Sequence, residues 1–380
     1  MRVCDVVLNS VWCDPRVRKQ IVEYQVNDIE VVCVGLKCER YDEEKVSLIP
    51  CPVTIVEYDK RYAGKQKSIF KKLKRARIME RAVTEAIVAY SPDVIHANDL
   101  NALIPAYKAA KRLGCKLIYD SHEIYVENYF LVGNKLYARY LKWTERRICR
   151  RIDKMICVSH AAADYFANEY KIEKPLVVTN CSLRSEADFE RPQKNSGFEV
   201  LNHGQFYKGR GYDTMLEAAE LLRDLPEVKI ALRGYGRLED KLRKRAEELA
   251  NEGIIFYPPV TVKELIPEAA KSHVGVAITE PICLNFKLSV SNKLFEYASA
   301  GLPVILSDIP EHRYLNEKYN FGIIIKDNTP ESVAEAIRLL YTDRELYNTL
   351  VVGAENLSRE VNWECDFARV IAFERELFSE

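Results

Sequence analysis

Short apolar runs rich in β-branched residues alternate along this chain with longer segments in which apolar residues recur every three or four positions. In the first half the runs are RVCDVVL, EVVCVG, VTIVE, DVIHA, CKLIYD, KMICVS and PLVVTN. In the second half they are FEVLNHG, VKIALRG, GIIFY, HVGVAI, LPVILSD and FGIII. Strands that alternate with helices in this way predict parallel β-α-β units. The predicted fold class is therefore α/β, with two Rossmann-like domains.

A polar segment without helix or strand periodicity separates the two sets of units. It covers residues 183–196 and is predicted to be an interdomain linker. Residues 1–182 then form an N-terminal domain and residues 197–360 a C-terminal domain. The helical pattern at 361–380 is expected to cross back to the N-terminal domain. Two domains also agree with the length of 380 residues, which exceeds what one hydrophobic core usually supports.

The lengths of the apolar runs and the cysteine usage bear on location. Each run has four to seven residues, far fewer than the roughly 18 to 20 needed to cross a bilayer. Polar residues interrupt MRVCDVVLN, so we do not expect a signal peptide. The eleven cysteines include no C-x-x-C pair. We predict a cytoplasmic protein without metal ligands, at the inner face of the cell membrane if the basic segment described next binds lipid.

The net charge of zero hides an asymmetry between the two halves. Residues 1–182 carry 31 Lys and Arg against 23 Asp and Glu, a net charge of +8, which leaves −8 for the rest. Ten of those cations lie in residues 60–81, where apolar side chains are interleaved with them. A basic amphipathic segment of this kind predicts contact with an anionic membrane surface, and a solvated helix face is the alternative. Nucleic-acid binding is not expected, because no recognition motif accompanies the cations.

The C-terminal half contains two loops suited to phosphate. FEVLNHGQFYKGRGYDTM leads from a strand into a glycine-containing loop and then a helix, and its candidate ligands are Gly204, Lys208, Arg210 and Gly211. Backbone amides and cations in such a loop can approach a diphosphate. An ordinary turn with solvated cations is the alternative. Gly234 ends the next strand, where backbone contact with a nucleobase or a plain turn are both open.

The strongest motif in the chain is SNKLFEYASAG. Ser291 or Asn292 is a good N-cap and Gly301 a good C-terminal glycine, which predicts a helix over about 293–300. Its first amides and Lys293 could bind a phosphate. Glu296 lies about one turn further and could accept hydrogen bonds from the vicinal hydroxyls of a ribose. The alternative is that Glu296 simply faces water.

In the N-terminal half, candidate residues follow the predicted strands. Asp14 caps a helix that Pro15 begins, and Arg16 or Arg18 in its first turn could contact a phosphate. The alternative is a solvated surface turn. His96 and Asp99 follow one strand, and His122 and Glu123 follow another, so both pairs should emerge at the carboxyl ends of strands. His122 is the candidate for acid–base work, with Asp99 and Glu123 as its polar partners.

These motifs together resemble glycosyltransferase family 4. SNKLFEYASAGLPVIL at 291–306 is similar to the donor-binding helix of that family. DPRVRKQI, DVIHANDLNALIPAYKAAK, YDSHE, DKMICVS, the 208–211 loop and NWE recur in the family in the same order. The resemblance implies the GT-B fold, in which two Rossmann-like domains face a central cleft. It also implies a retaining, metal-independent transferase that takes a hexose from a nucleotide-diphosphate sugar, with no other cofactor.

The resemblance and the local patterns together give the predicted site. Glu296 matches the family glutamate that holds the donor ribose, and Arg210 the basic residue at the diphosphate. The predicted catalytic residues are His122, Arg210 and Lys208; the donor-binding residues are Gly204, Gln205, Gly211, Gly234, Asn292, Lys293, Leu294 and Glu296; and the acceptor-binding residues are Arg16, Asp99 and Glu123. The expected acceptor is a lipid-linked molecule or a glycan, in the biosynthesis of cell-surface polysaccharide or glycolipid.

Two positions depart from the family pattern. Leu288 stands where the family has a glutamate that touches the donor sugar, and Gln205 stands where it has an arginine. These departures leave two alternatives to transfer. One is a sugar-nucleotide epimerase or hydrolase on the same fold, and the other is a protein that binds nucleotide sugars without catalysis.

Overall fold

A computed structural model describes residues 1–37, 42–57, 69–131 and 133–378. The chain divides into two compact units. Unit 1 comprises Met1–Val178 together with Asp366–Glu380, and unit 2 comprises Thr179–Cys365. The predicted linker, 183–196, lies within unit 2. In the described part of the chain, no helix combines the length and the apolar character needed to cross a membrane.

Unit 1 is built on a seven-stranded parallel sheet with the strand order β3-β2-β1-β4-β5-β6-β7. Its strands are β1 (Arg2–Val7), β2 (Glu30–Leu36), β3 (Val53–Val56), β4 (Val94–Asn98), β5 (Lys116–Ser121), β6 (Lys154–Cys157) and β7 (Leu176–Val177). Its helices are α1 (Pro15–Val26), α2 (Glu43–Ser47), α3 (Ile69–Tyr90), α4 (Asp99–Leu113), α5 (Lys135–Cys149) and α6 (His160–Tyr170). Short 3-10 turns lie at Val11–Cys13, Tyr125–Glu127 and Tyr129–Leu131.

Unit 2 contains a six-stranded parallel sheet with the order β10-β9-β8-β11-β12-β13. Its strands are β8 (Phe198–Gln205), β9 (Val228–Tyr235), β10 (Ile254–Tyr257), β11 (Val274–Ala277), β12 (Val304–Ser307) and β13 (Gly322–Ile325). Its helices are α7 (Arg184–Ala187), α8 (Tyr212–Leu221), α9 (Glu239–Leu249), α10 (Val262–Ala269), α11 (Leu284–Leu288), α12 (Asn292–Ser299), α13 (Pro310–Tyr319), α14 (Pro330–Thr342) and α15 (Arg344–Glu360). Helix α16 (Trp363–Glu376) begins here and continues into unit 1.

The strand pattern predicted from the sequence is confirmed. Each of the predicted apolar runs contains one of the strands β1 to β13, and every pairing is parallel. The strands read as continuous apolar runs because helices cover both faces of a parallel sheet. Val3, Cys4, Val6 and Val7 of β1, for example, are all buried.

Helix α16 supplies part of the unit 1 core. Phe367, Val370 and Ile371 are buried, and the Phe367 ring meets the Tyr24 ring of α1 edge to face at 5.3 Å. The buried Glu374 carboxylate accepts a hydrogen bond of 2.7 Å from the Tyr24 hydroxyl. The last helix is therefore an integral element of unit 1.

Both sheets have a point where the strand order reverses. It lies between β1 and β4 in unit 1 and between β8 and β11 in unit 2. In doubly wound sheets, ligands bind beyond the carboxyl ends of the strands at such a point. The candidate site residues come from the segments that follow these strands.

Candidate functional site

The unit 2 site begins with two polar residues inside β8. Asn202 and His203 are buried near the carboxyl end of an otherwise apolar strand. Helix α12 brings Lys293 and Glu296 to the same place. Its N-cap is Ser291 and Gly301 has a φ of 68°, which confirms the predicted start and end of this helix.

Lys293 is held inside the unit by neutral partners. Its side chain is 9% exposed, and its Nζ donates to Asn202 Oδ1 at 2.8 Å and to the Tyr212 hydroxyl at 3.0 Å. The ammonium also lies over the Tyr212 ring, 4.7 Å from the centroid. Among the residues that the structure describes, no carboxylate lies within ion-pair distance of Lys293. The ammonium charge is therefore solvated only by dipoles and an aromatic face.

Arg210 is a second cation beside Lys293. Its guanidinium stacks over the Phe286 ring at 4.8 Å, and its backbone oxygen accepts from Asn202 Nδ2 at 3.2 Å. Burial lowers the pKa of Arg210 from its usual value. The pKa of Lys293 is held well below its usual value by burial first and by the Arg210 charge second, while Glu296 opposes the shift. A buried cation beside a partly buried one favours a bound anion.

The α12 N-terminus adds uncommitted backbone donors to these charges. The first amides of a helix have no carbonyl partner within the helix, and α12 begins at Asn292. Within the described part of the chain, the Ser291 side chain makes no capping hydrogen bond to them. These amides can donate to a phosphate, as predicted for Asn292 and Lys293.

Glu296 is positioned by a histidine that the sequence reasoning overlooked. His203 Nε2 lies 2.7 Å from Glu296 Oε2, and its ring stacks on the Tyr297 ring with centroids 4.4 Å apart. The Tyr297 hydroxyl in turn accepts from the His203 backbone N–H at 2.9 Å. His203 is buried, whereas the Glu296 side chain is about one quarter exposed. One carboxylate oxygen is thus fixed while the group can still reach a ligand.

The predicted glycines have steric roles. A methyl group at Gly204 would lie 2.9 Å from Lys293 Cε, so the absence of a side chain there makes room for the lysine. Gly234 pairs with Gly204 across β8 and β9, and a methyl group there would lie 1.8 Å from the Gly204 carbonyl oxygen. Gly211 is the N-cap of α8 with a φ of 73°, and a side chain there would collide with Ile278.

Two predicted donor-binding residues, Gln205 and Asn292, and the predicted catalytic residue Lys208 lie at the surface. Gln205 Nε2 donates to the Tyr235 hydroxyl at 3.4 Å. Lys208 makes no hydrogen bond or ion pair to any residue the structure describes. Arg210, and not Lys208, is therefore the loop cation whose charge acts on Lys293.

The prediction that Leu294 binds the donor needs correction. Its side chain is completely buried, and its N–H donates to the Ser291 carbonyl at 3.1 Å. It faces the core because α12 is amphipathic and packs this side against the sheet. Leu288, where a glutamate was expected, is a half-buried residue that ends α11.

In unit 1 the structure brings His122 and Asp99 together. His122 Nδ1 lies 3.5 Å from Asp99 Oδ2, and the His122 backbone N–H donates to Asp99 Oδ1 at 3.3 Å. His122 Nε2 lies 3.0 Å from Asn98 Oδ1. Asp99 has a φ of 65°, which is uncommon for a residue with a side chain and typical of functional sites. Glu123 points elsewhere, since its carboxylate accepts from Asn128 Nδ2 at 2.7 Å.

Arg16, predicted to contact an acceptor, is instead part of the interior. It is 2% exposed, and its Nε and Nη2 donate to the two oxygens of Asp120 at 2.8 and 2.9 Å. Helix α1 starts as predicted, with Asp14 accepting from the Arg16 and Val17 amides. The inward direction of this cation could not be predicted from the sequence, because its partner lies 104 residues away.

His96 also lies in the interior and not at the ligand-facing edge predicted for it. Its Nδ1 is 2.8 Å from the Tyr24 hydroxyl and its Nε2 is 3.5 Å from Asp120 Oδ2. Burial alone would lower the pKa of His96, but the Asp120 and Glu374 carboxylates and the Asp5 charge raise it to about 10. The pKa of Asp120 is lowered: burial opposes this, but the Arg16 charge and both histidines outweigh it. These groups form a buried ionic network.

The sequence held a signal for the residues that were missed. Asp5 in RVCDVV, Asp120 in KLIYDS and Asn202 with His203 in VLNHG are polar residues inside buried strands. Buried polar groups require partners, so each marks a hydrogen-bond network.

The basic segment at 60–81 lies largely outside the described residues. Nothing is described for residues 58–68, and no side chain for residues 69–73. The remainder forms the first turns of α3, where Lys74 and Arg77 are exposed.

Comparison with known proteins places this chain beside sugar transferases. The model of Glycosyltransferase Family 4 matches residues 16–182, and that of Glycosyl transferases group 1 matches residues 184–356. An uncharacterized glycosyltransferase of Methanocaldococcus jannaschii is 23% identical over 262 residues, which cover 66% of this chain and 65% of that protein. This chain therefore spans about two thirds of the length of that relative.

Solved structures share the fold over the whole chain. Sucrose-phosphate synthase from Thermosynechococcus elongatus has a TM-score of 0.76 and 14% identity, with 100% of this chain and 99% of that chain covered. Anabaena HepE, solved in complex with UDP, has a TM-score of 0.74 and 13% identity, with 99% and 100% covered. At these identities the likeness is one of fold.

Proposed function

This chain belongs to the family 4-type glycosyltransferases of the GT-B fold, and we propose that it transfers a hexose from a nucleotide-diphosphate sugar to a lipid-linked or glycan acceptor. The donor nucleotide binds in unit 2. The acceptor is a component of cell-surface polysaccharide or glycolipid, as the family resemblance implies.

The observation that carries this proposal is a pair of cations, the buried Lys293 and the partly buried Arg210, next to a positioned carboxylate. Lys293 and Arg210 are desolvated, and each has a lowered pKa. A diphosphate supplies the negative charge that these groups lack. Glu296, fixed by His203, stands one turn along α12 and accepts hydrogen bonds from the ribose hydroxyls. Charge and spacing thus match the diphosphate and the ribose of one nucleotide.

In the proposed reaction the bond between the sugar C1 and the diphosphate oxygen breaks, and the acceptor oxygen forms a bond to C1 on the same face. Negative charge grows on the leaving diphosphate, where Lys293, Arg210 and the α12 amides stabilise it. The acceptor hydroxyl proton passes to a phosphate oxygen of the leaving group. These protein cations fill the role that a divalent metal has in other transferases, so the proposed reaction is metal-independent.

We assign His122 to the sugar or the acceptor in unit 1. Asn98 and Asp99 hold its ring at the carboxyl end of β4, where ligands of such sheets bind. Asp99 adopts a strained backbone conformation to do so.

The free thiols support the proposed cytoplasmic location, since the ten cysteines in the described part of the chain form no disulfide.

A release assay tests the proposed function. The protein is incubated with a panel of nucleotide sugars, beginning with UDP-glucose because HepE binds UDP, with and without a lipid extract. We expect free nucleoside diphosphate to appear only when the extract is present. Release without an acceptor would favour a hydrolase, and conversion of the donor into an isomeric nucleotide sugar would favour an epimerase. No turnover of any donor would favour a non-catalytic binding protein, and each of these three results contradicts transfer.

A further inference from the structure

Large apolar side chains are concentrated on the surface of unit 1 around helix α5. Six of the twenty large hydrophobic residues that the structure shows as exposed fall within residues 129–143. They are Tyr129, Phe130, Leu136, Tyr137, Tyr140 and Trp143. Four of the six are tyrosine or tryptophan, which have an apolar ring and a polar group. We call this set, with the cations of α5, the α5 surface.

The exposed side of α5 is a continuous stripe. Leu136, Tyr140, Trp143 and Arg147 have the spacing i, i+4, i+7 and i+11, which places them on one face of a helix over about 16 Å. Leu136 is 81% exposed, and Tyr140 and Trp143 are each 57% exposed. The Arg147 guanidinium lies over the Trp143 ring at 5.5 Å. The stripe therefore ends in a cation.

The opposite side of α5 is firmly anchored, so the exposed stripe is not a consequence of poor packing. Leu141, Glu145 and Ile148 are buried. The Glu145 carboxylate accepts hydrogen bonds of 2.6 Å from both the Tyr119 and Tyr170 hydroxyls. Lys142 pairs with Glu127 and Glu169. The helix presents one fixed face to its surroundings.

The exposed charges that α5 and the two residues after it carry are of one sign. Residues 135–151 contain seven Lys and Arg, and their single acidic residue is the buried Glu145. A second copy of this chain would bring the same cations against themselves if it used this face, which is repulsive. An anionic lipid surface suits both kinds of side chain. Its negative headgroups attract the cations, and tyrosine and tryptophan favour the membrane interface.

We propose that the α5 surface docks this protein on an anionic membrane, with α5 lying in the plane of the interface. The aromatic rings and Leu136 enter the headgroup region, and Arg139 and Arg147 contact lipid phosphates. Its residues are different from those of the basic segment at 60–81. It also goes beyond the proposed transfer reaction, since docking requires neither donor nor acceptor.

The α5 surface is joined closely to the candidate acceptor residues. Only eleven residues separate Glu123 from Lys135, and the Tyr125–Glu127 and Tyr129–Leu131 turns that lie between them pack against α5. The Asn128 side chain ties this connection to Glu123. Docking through α5 thus brings the carboxyl edge of the unit 1 sheet to the membrane surface, where a lipid-linked acceptor resides.

Vesicle co-sedimentation of the full chain tests this proposal. The vesicles are phosphatidylcholine alone, or phosphatidylcholine with 30 mol% phosphatidylglycerol. The variants are Tyr140→Ala/Trp143→Ala, which removes the rings, and Arg139→Glu/Arg147→Glu, which reverses two charges. The control, Lys244→Glu/Lys263→Glu, reverses two exposed charges on unit 2. Circular dichroism and thermal unfolding verify that each variant is folded.

We expect salt-sensitive binding to the anionic vesicles only, lowered at least about tenfold by either α5 variant and unchanged in the control. Trp143 is the one strongly exposed tryptophan among those described, so its fluorescence should shift to the blue on binding, and Trp143→Phe should abolish the shift. Absence of binding to anionic vesicles would overturn the proposal and favour an acidic protein partner. Equal binding by the α5 variants would also overturn it and direct attention to another segment.

Discussion

Lys293 is a buried ammonium surrounded by neutral hydrogen-bond acceptors and by a second cation. Such a group is costly for the folded state unless a ligand neutralises it. The lowered pKa of Lys293 reflects that cost. As the pH drops below the unfolded-state pKa near 10.5, the unfolded chain takes up the proton before the folded protein does, so the free energy of unfolding falls. An anion that binds here recovers free energy that the folded protein loses by burying this charge.

We predict that Lys293→Met separates binding from folding. Affinity for nucleoside diphosphates should fall about 100-fold, equal to about 2.7 kcal/mol, because a charge-assisted hydrogen bond is lost. The free energy of unfolding without ligand should stay within about 1 kcal/mol of the wild-type value, because a buried charge is removed along with its two hydrogen bonds. Calorimetric titration and urea unfolding measure the two effects.

Lys244→Met is the matched control for this variant, since Lys244 is an exposed lysine of the same unit. It should leave both quantities unchanged. A Lys293→Met protein that binds nucleoside diphosphate as tightly as the wild type would show that the ammonium does not contact the ligand.

The pair His203 and Glu296 should act on the nucleoside and not on the phosphates. We predict that Glu296→Gln and His203→Leu each weaken binding of the nucleoside diphosphate at least about tenfold, because the ribose loses its oriented acceptor. Binding of inorganic pyrophosphate should be no weaker than in the wild type. Titration with both ligands distinguishes the two effects, and equal losses for both would mean that Glu296 supports the site only structurally.

The elements of unit 1 are joined by the ionic network between α1, β4, β5 and α16. The raised pKa of His96 makes this network sensitive to alkaline pH. The pKa of His96 is raised from 6.5 to about 10, so its contribution is complete below pH 6.5 and is lost as the pH rises through about 10. Asp120 has a lowered pKa, and its contribution is lost only as the pH falls into the acid range.

We predict that the free energy of unfolding decreases between pH 7 and pH 9, with a slope from His96 of up to about 1.4 kcal/mol per pH unit. His96→Asn should remove this part of the slope. His122→Asn is the control, because His122 lies nearby on the more exposed side of Asp120 and should leave the slope intact. Urea unfolding over the pH series measures this slope. An unchanged slope of the free energy of unfolding against pH in His96→Asn would contradict a protonated His96.

At the scale of elements, features set by neighbouring residues could be predicted from the sequence, whereas contacts between residues far apart in the chain could not. The α12 boundaries follow from Ser291 and Gly301, and the α1 start follows from Asp14 and Pro15, because caps act within a few residues. The inward direction of Arg16 depends on Asp120, far along the chain. Leu294 is predicted to bind the donor together with its motif neighbours, yet helical periodicity alone places its side chain on the buried side.

At the scale of the whole molecule, the chain enters unit 1 twice, first with residues 1–178 and again with residues 366–380. Helix α16 places Phe367 against Tyr24 and stacks it on His96, so unit 1 is incomplete without the last residues. The turn from α15 into α16 is fixed within unit 2, where the Trp363 N–H donates to the Ser182 carbonyl at 3.0 Å. This arrangement makes the fold of unit 1 depend on the far end of the sequence.

We predict that removal of residues 366–380 unfolds unit 1 selectively. Loss of Phe367, Val370 and Ile371 from the core should cost more than about 5 kcal/mol, which is comparable to the stability of a whole domain. Scanning calorimetry should show one transition for the truncated chain, while a chain that ends at Glu376 keeps the wild-type profile. Retention of the full profile in the shorter chain would contradict the packing role of α16.

Binding of the diphosphate and the ribose of a sugar nucleotide at α12 is the proposed task of unit 2. A crystal structure of the protein with a bound nucleoside diphosphate tests it most directly. We expect phosphate oxygens within about 3.2 Å of Lys293 Nζ or the Arg210 guanidinium, and ribose hydroxyls at the Glu296 carboxylate. A nucleotide bound elsewhere, with its phosphates out of reach of both cations, would contradict it.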